Sequence, residues 1–422
     1  MEHLNLAMET PVPRTTSHEQ PFGPLRRTFP PEWVALLALA LVFSAAAASA
    51  FVMPVIAGAL VEGYGIRAQD IGFVLAGELS AIALGSFALF PLLRSWDART
   101  MFAVLLAAFV AANLGCLHVS GVAGLVFLRL IAGVAEGTAQ AMVISLCARM
   151  ASPHRAFGFI YTAQAIILTA IFLAMPAITE AWGTRAAFSM LAFMGVAGLF
   201  LLPFARVRLA SADAPSAATP QRTAWRLDFS LILTSWLLFQ LGQSAVWAYA
   251  ERIAVDIGIS FAQANLVYAI SSMATIGAAS VAAWLVARIK ISIVLVIAML
   301  LSAISMLGFP LASGVWFYGV TSVVFCSALF FAFPSFGTLA SRMDASGRLP
   351  GFLPTAQAVG MAIGPAVASV ILGFSKSYLL LAALSAGMTV IGLIAALPTF
   401  RFDNAGRPTG SAEIDAISGA HG

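Results

Sequence analysis

Charge is what this chain has least of. Asp, Glu, Lys and Arg make up 9% of its 422 residues, hydrophobic types make up 61%, and the mean hydropathy is +0.95. A soluble domain carries roughly 25% charged residues, so the roughly three soluble domains that length alone suggests are excluded. Cysteine is scarce as well: Cys116, Cys147 and Cys326 lie far apart inside apolar runs. They read as small buried hydrophobes, with no disulfide or thiolate–metal framework implied. The five histidines (His3, His18, His118, His154, His421) are scattered at no ligand or catalytic spacing. No Gly-rich phosphate loop ends in Gly-Lys-Ser or Gly-Lys-Thr, which argues against an ATP-driven pump. Neither catalysis nor a cofactor nor a metal is expected. The first 30 residues are polar and Pro-containing, carry no signal-peptide h-region, and read as a cytoplasmic tail.

What the chain does have is apolar length. Twelve runs, each on the order of the 20 residues that cross a bilayer, lie near 33–60, 71–93, 101–119, 123–147, 158–177, 186–205, 229–255, 263–287, 291–311, 315–340, 351–373 and 378–399. One connection between them differs from the short hairpins elsewhere. Residues 206–228 contain SADAPSAATPQR, small, polar and Pro-bearing, the composition of a linker. The chain also repeats itself. RMASPHRAFGFIYTAQA (149–165) and RMDASGRLPGFLPTAQA (342–358) share nine of seventeen positions at a constant offset of 193, and the same offset relates Gly65-Ile66 to Gly258-Ile259. The organisation is therefore a tail (1–30), a bundle (31–205), a linker (206–228), a second bundle (229–400) and a tail (401–422). The fold class is an all-α integral membrane protein with twelve transmembrane helices in two pseudo-symmetric six-helix bundles.

The net charge of +4 is a topology signal and not a nucleic-acid footprint, because the basic residues sit in short loops. With a cytoplasmic N-terminus, seventeen Lys and Arg fall in inner segments, only Arg67, Arg185 and Lys376 fall in outer loops, and Arg129 and Arg252 lie within spans. Both termini are expected in the cytoplasm of a multi-pass plasma-membrane protein, such as one of a bacterial inner membrane.

Ionisable groups inside a membrane are costly, so each needs a reason. In span 4, FLRLIAGVAEGTAQAMVISL, spacings of seven and four residues put Arg129, Glu136 and Gln140 on one helical face, with Glu136 near mid-depth. Glu136 is the candidate proton carrier. The alternative is an internal Glu–Arg pair that holds the bundle together. Glu78 in span 2 is a second candidate for a proton site or an outer gate. Span 7 carries Gln240, Gln243, Trp247 and Glu251 at helical spacing. The glutamines offer hydrogen bonds to a substrate without the cost of a charge, and Trp247 and Tyr249 offer amphipathic rings. An interfacial belt is the alternative for these two rings and the preferred reading of Glu251 and Arg252. Gln164 and Gln357, with Thr162 and Thr355, occupy equivalent places in the repeat, where helix packing explains them as well as binding does. Gly133/Gly137 and Gly360/Gly364 are small-xxx-small pairs for close helix approach, and Pro334 and Pro365 are candidate bending points.

FLRLIAGVAEG resembles the fourth-helix motif of the major facilitator superfamily, with the motif's arginine on Arg129 and its glycines on Gly133 and Gly137. AWGTRAAF (181–188) is similar to that family's pattern before span 6. The loop LLRSWDART keeps Arg94, Asp97 and Arg99 of the family's cytoplasmic latch but has Leu93 in the acidic position and no glycine. GMAIGP, a Gly-Pro motif expected in span 5, stands in span 11 instead. The resemblance covers spans 1–12. It implies alternating access of two bundles about a cavity lined by spans 1, 4, 7 and 10, a role for Arg129 in proton handling, and a monomer.

The function expected is secondary transport of a small organic solute, proton-coupled, with efflux favoured over uptake. Glu136, Arg129 and Glu78 would couple protons; Gln240, Gln243, Trp247, Gln140, Gln164 and Gln357 would contact substrate. The alternatives are an uncoupled facilitator or uptake permease of the same fold and, from another class, a membrane sensor that does not transport.

Overall fold

The computed structural model describes residues 32–89, 97–119, 121–148, 150, 153–204, 227–344 and 348–404. Among them every regular element is a helix. Eleven are long and apolar enough to cross a membrane, and two shorter apolar helices, Met53–Tyr64 and Ile71–Phe87, accompany them. The crossings number twelve once the first two helices are joined. Span 1 is Glu32–Phe51 continued by Met53–Tyr64, and span 2 is Ile71–Leu84 with a π-turn at Gly85–Leu89. Spans 3 to 6 are Ala98–His118, Val122–Ala148, Pro153–Trp182 and Ala186–Leu201. Spans 7 to 12 are Leu227–Asp256, Phe261–Arg288, Ile291–Gly308, Val315–Met343, Arg348–Ser375 and Tyr378–Ala396. Nearly all of the linker and both tails lie outside the described residues, as does most of LLRSWDART.

The sequence predicts one continuous first span; the structure breaks it. Pro54 has no N–H to donate, so the helical ladder lapses. Val55 N–H turns to the Val52 carbonyl instead of reaching Phe51. The Phe51 carbonyl is thereby released, and the other half of the molecule takes it, as described below.

Packing follows the repeat. In the first half span 2 packs on 4, span 3 on 4 and 6, and span 1 on 5, 6 and 4; in the second, 8 packs on 10, 9 on 10 and 12, and 7 on 11, 12 and 10. Between halves, span 2 meets 11 and span 5 meets 8, a symmetric pair of seams, while spans 1 and 7 meet at the centre. Gly65 and Gly258 end equivalent helices with φ of 65° and 82°, the left-handed region that a side chain resists. The paired glycines do what their spacing predicts. A Cβ on Gly133 or Gly137 would strike the backbone carbonyl of Glu78 or Ile82 in span 2, and one on Gly360 or Gly364 that of Leu237 or Leu241 in span 7. Pro334 and Pro365 both sit inside continuous helices. At the start of span 3, the Thr100 N–H and hydroxyl donate to Asp97, and these bonds hold the Asp97 carboxyl below its usual range.

Candidate functional site

The two bundles enclose a cavity of about 840 Å³ of empty space, part of it open to solvent. Span 1 contributes Ala50, Phe51 and Met53; span 5 contributes Tyr161, Gln164 and Phe172; span 7 contributes Gln240, Gln243, Ser244 and Trp247. Spans 8, 10 and 11 close the ring with Ser272, Thr275, Phe325, Cys326, Phe330 and Met361. Among the described residues that line it there is no Asp, Glu, Lys, Arg or His. Trp247 is built into the wall: its ring stacks on Phe325 at 6.1 Å and meets Tyr268 edge-on at 5.3 Å. Gln243 donates to the Ser302 hydroxyl at 3.0 Å.

Above the cavity, at the end away from the termini, the two halves are joined. The Trp247 indole N–H donates to the released Phe51 carbonyl at 3.1 Å. The Gly72 N–H, one of the unpaired donors in the first turn of span 2, reaches the Tyr249 hydroxyl at 3.1 Å, which in turn pairs with Ser369 at 3.0 Å. Arg252 grips Glu251 at 2.5 Å and Glu62 of the other half at 2.8 Å. Gly58 lies beneath this triad, where a Cβ would sit 3.0 Å from a Glu251 carboxylate oxygen. Lower down, Thr169 donates to the Ala269 carbonyl at 3.4 Å. These four hydrogen bonds between the halves all lie from mid-depth to the far end. The belt reading of Glu251 and Arg252 is therefore corrected: Glu251 is fully buried and the pair clasps the two bundles. A residue near a helix end faces lipid or a neighbouring bundle with the same sequence spacing, and only packing distinguishes the two.

The acids of the first half lie behind the cavity wall. Arg129, fully buried, pairs with Glu78 at 2.9 Å and donates to Asn113 at 2.7 Å, with the Phe188 ring 4.9 Å away. Asn113 and Phe188 carried no sequence signal beyond a polar residue and a ring in apolar runs. Glu136 shares a helix face with Arg129 but not a contact; Ser49 of span 1 donates to it at 2.5 Å, and its other carboxylate oxygen is buried without a partner. Gln140 donates to the Ala46 carbonyl at 2.6 Å. Span 1 thus stands between span 4 and the cavity, which corrects the expectation that span 4 lines it. Of the predicted substrate contacts, Gln164, Gln240, Gln243 and Trp247 line the cavity. Gln140 does not, and Gln357 turns toward the Met361 sulfur at 3.8 Å. No group of three or more His, Cys, Asp or Glu among the described residues is placed to hold a metal.

The sequence profile of the Major Facilitator Superfamily matches residues 37–365. The chain belongs to the major facilitator superfamily. Its fold agrees with solved structures of that family's transporters. A D-xylose–proton symporter superposes with a TM-score of 0.68 at 18% identity, covering 89% of this chain and 97% of its own. A bacterial homologue of the human lysosomal transporter Spinster, inward-facing and unoccupied, gives 0.69 at 11% identity, covering 90% and 98%. A mutant of the nucleoside transporter NupG gives 0.69 at 13% identity, covering 87% and 100%. At such identities the likeness is one of fold. Among curated proteins none matches by sequence. The superfamily fold makes this chain a multi-pass membrane transporter, with a small-molecule substrate and the lipid bilayer as its partners.

Proposed function

We propose that this transporter is a secondary, proton-coupled carrier of a small organic solute, working by alternating access, with efflux favoured and a monomer as the unit. The bundles are 31–205 and 229–400, joined by the cytoplasmic linker 206–228, with both termini in the cytoplasm of a plasma membrane. The observation that carries this reading is a central cavity closed at one end only by separable contacts. From mid-depth to the far end the halves are held by three hydrogen bonds and one ion triad, and the described near-end ion pairs, Arg342–Asp403 and Arg401–Asp228, stay within the second half. Two rigid bundles joined this way open by rocking, each state exposing the same cavity to one side.

Glu136 is the proposed proton carrier because its charge has no cation in contact and one of its oxygens has no partner, whereas the charge of Glu78 is matched by Arg129. Ser49, which donates to it, precedes Ala50 of the cavity wall, so a proton shift at Glu136 acts on span 1 beside its break. Arg129 then tunes Glu136 through space, and Glu78 fixes Arg129. Gln164, Gln240, Gln243 and Trp247 receive the solute.

The test needs no known solute. Spin labels replace the exposed Trp182 and Trp316 at the far ends of the two halves, in a background without native cysteines, and the protein is placed in lipid nanodiscs. The distance distribution is expected to shift between pH 5 and pH 9, and Glu136→Gln is expected to abolish that shift. A shift that persists in Glu136→Gln removes the proton from this residue. No shift in the unmutated chain favours the uncoupled facilitator.

A further inference from the structure

We infer that the solute is an uncharged molecule with apolar, ring-bearing surface that presents both a hydrogen-bond donor and an acceptor. This deepens the transport reading above and rests on it. Two buried atoms in the cavity wall carry the inference. The amide nitrogen of Gln164 and the amide oxygen of Gln240 have no partner in the protein, and their side chains are only 3% and 2% exposed. Unpartnered buried polar groups are uncommon because each forfeits its hydrogen bonds with water. Here one belongs to span 5 of the first bundle and the other to span 7 of the second, and both residues line the same cavity. One is a donor and the other an acceptor. As the two amides stand, they ask for an acceptor opposite Gln164 and a donor opposite Gln240.

The rest of the wall sets the class. Phe51, Tyr161, Phe172, Trp247, Phe325 and Phe330 give the same cavity wall its ring surface. No Asp, Glu, Lys, Arg or His among the described lining residues is there to neutralise a charged solute. A cation would leave its water for ring faces alone, and the Trp247 ring is already committed to Phe325 and Tyr268. An anion would meet the negative faces of those rings. Desolvation of an unpaired charge outweighs both. A neutral solute loses less, and the two glutamines replace the hydrogen bonds it gives up.

The inference also explains a difference within the repeat. Gln164 and Gln357 are equivalent in sequence, yet only Gln164 lines the cavity. In the second half Met361 takes a place on the wall and Gln357 turns toward its sulfur. The ligand groove is asymmetric, polar on span 5 and thioether on span 11. That suits a solute that is itself polar along one edge.

Three probes of one shape separate the classes: 2-naphthamide, 2-naphthoate and 2-naphthylmethylammonium, titrated at pH 7 against the protein in nanodiscs, with empty nanodiscs subtracted. The naphthamide is expected to bind at least tenfold more tightly than either ion. Gln164→Leu and Gln240→Leu are each expected to weaken it by about tenfold, the loss of roughly one hydrogen bond. Where a Leu variant fails to fold, Gln164→Asn or Gln240→Asn takes its place, shortening the reach of the amide. Tighter binding of either ion, equal binding by the glutamine variants, or no binding by any probe overturns the inference. The spin-label distances are recorded in the same samples. If naphthamide binds but the far end never moves, alternating access fails and the ligand class stands. If the far end moves but an ion binds best, the class fails and transport stands.

Discussion

The two halves solve the same packing problem with different chemistry. At the offset of 193 that relates the repeats, Glu78 corresponds to Ser271 and Arg129 to Ser322. In the first half these positions form a buried ion pair at 2.9 Å; in the second they form a hydrogen bond between two buried hydroxyls at 2.9 Å. Both tie the second helix of a half to its fourth at the same depth. The contact is structural in origin, since the second half keeps it without any charge. What the first half adds is a fixed positive group in the low-dielectric region that holds Glu136, whose equivalent in the second half is the cavity-lining Leu329. At these positions the first bundle uses charge where the second places neutral side chains.

Breaking the ion pair one-sidedly should have the largest effect. Glu78→Gln leaves Arg129 as a buried charge without its counterion, and about 3–5 kcal/mol of stability is expected to go. Thermal unfolding in detergent measures it. Adding Arg129→Met should return most of the loss, because a neutral pair is what the second half already tolerates. A double variant no more stable than Glu78→Gln would show that the two halves are not interchangeable at this contact.

Close helix approach comes next. Gly137→Ala in the first half and Gly364→Ala in the second each drive a methyl into a neighbouring backbone carbonyl, at an expected cost of about 1–3 kcal/mol. Gly337→Ala, which meets nothing within 4 Å, should leave the melting temperature unchanged or slightly raised. Equal effects at all three positions would dissolve the distinction between packed and open glycines.

The hydroxyl pair is the smallest lever. Ser271→Ala or Ser322→Ala should cost about 0.6 kcal/mol, the average for hydrogen bonds between membrane helices. A loss as large as that of Glu78→Gln would mean that the second-half contact carries more than its chemistry suggests.

Much of this was legible in the sequence, and the rest was withheld for identifiable reasons. Crossing number, duplication and the polar faces of spans 4 and 7 follow from local hydropathy and periodicity. Four of the six predicted solute contacts line the cavity because helical spacing fixes which residues share a face. Spacing does not fix what that face meets. Arg129 and Glu136 share one, yet Arg129 pairs across to span 2 and Glu136 turns to span 1. Glu251 and Arg252 look like a belt until Glu62 of the other half is found beside them. Pro54 accounts for the break at Val52, which the continuous apolar run 33–60 hid, but the use of the freed Phe51 carbonyl by Trp247 needs the second bundle in place. The N-cap of span 3 is local, from Asp97. At the equivalent position span 9 has Lys290, and its first N–H groups are taken by Asp403 from beyond span 12, a partner that sequence proximity cannot suggest.

Alternating access is tested most directly by watching both ends of the molecule at once. One label pair spans the far end, at Trp182 and Trp316; a second spans the near end, at the exposed Phe204 and Ser341. Arg252→Gln cuts the ionic clasp between the halves. The distances are expected to respond reciprocally, the far pair lengthening as the near pair shortens. If the near pair stays fixed while the far end loosens, or if both lengthen together, the two bundles do not rock about the cavity and the account is wrong.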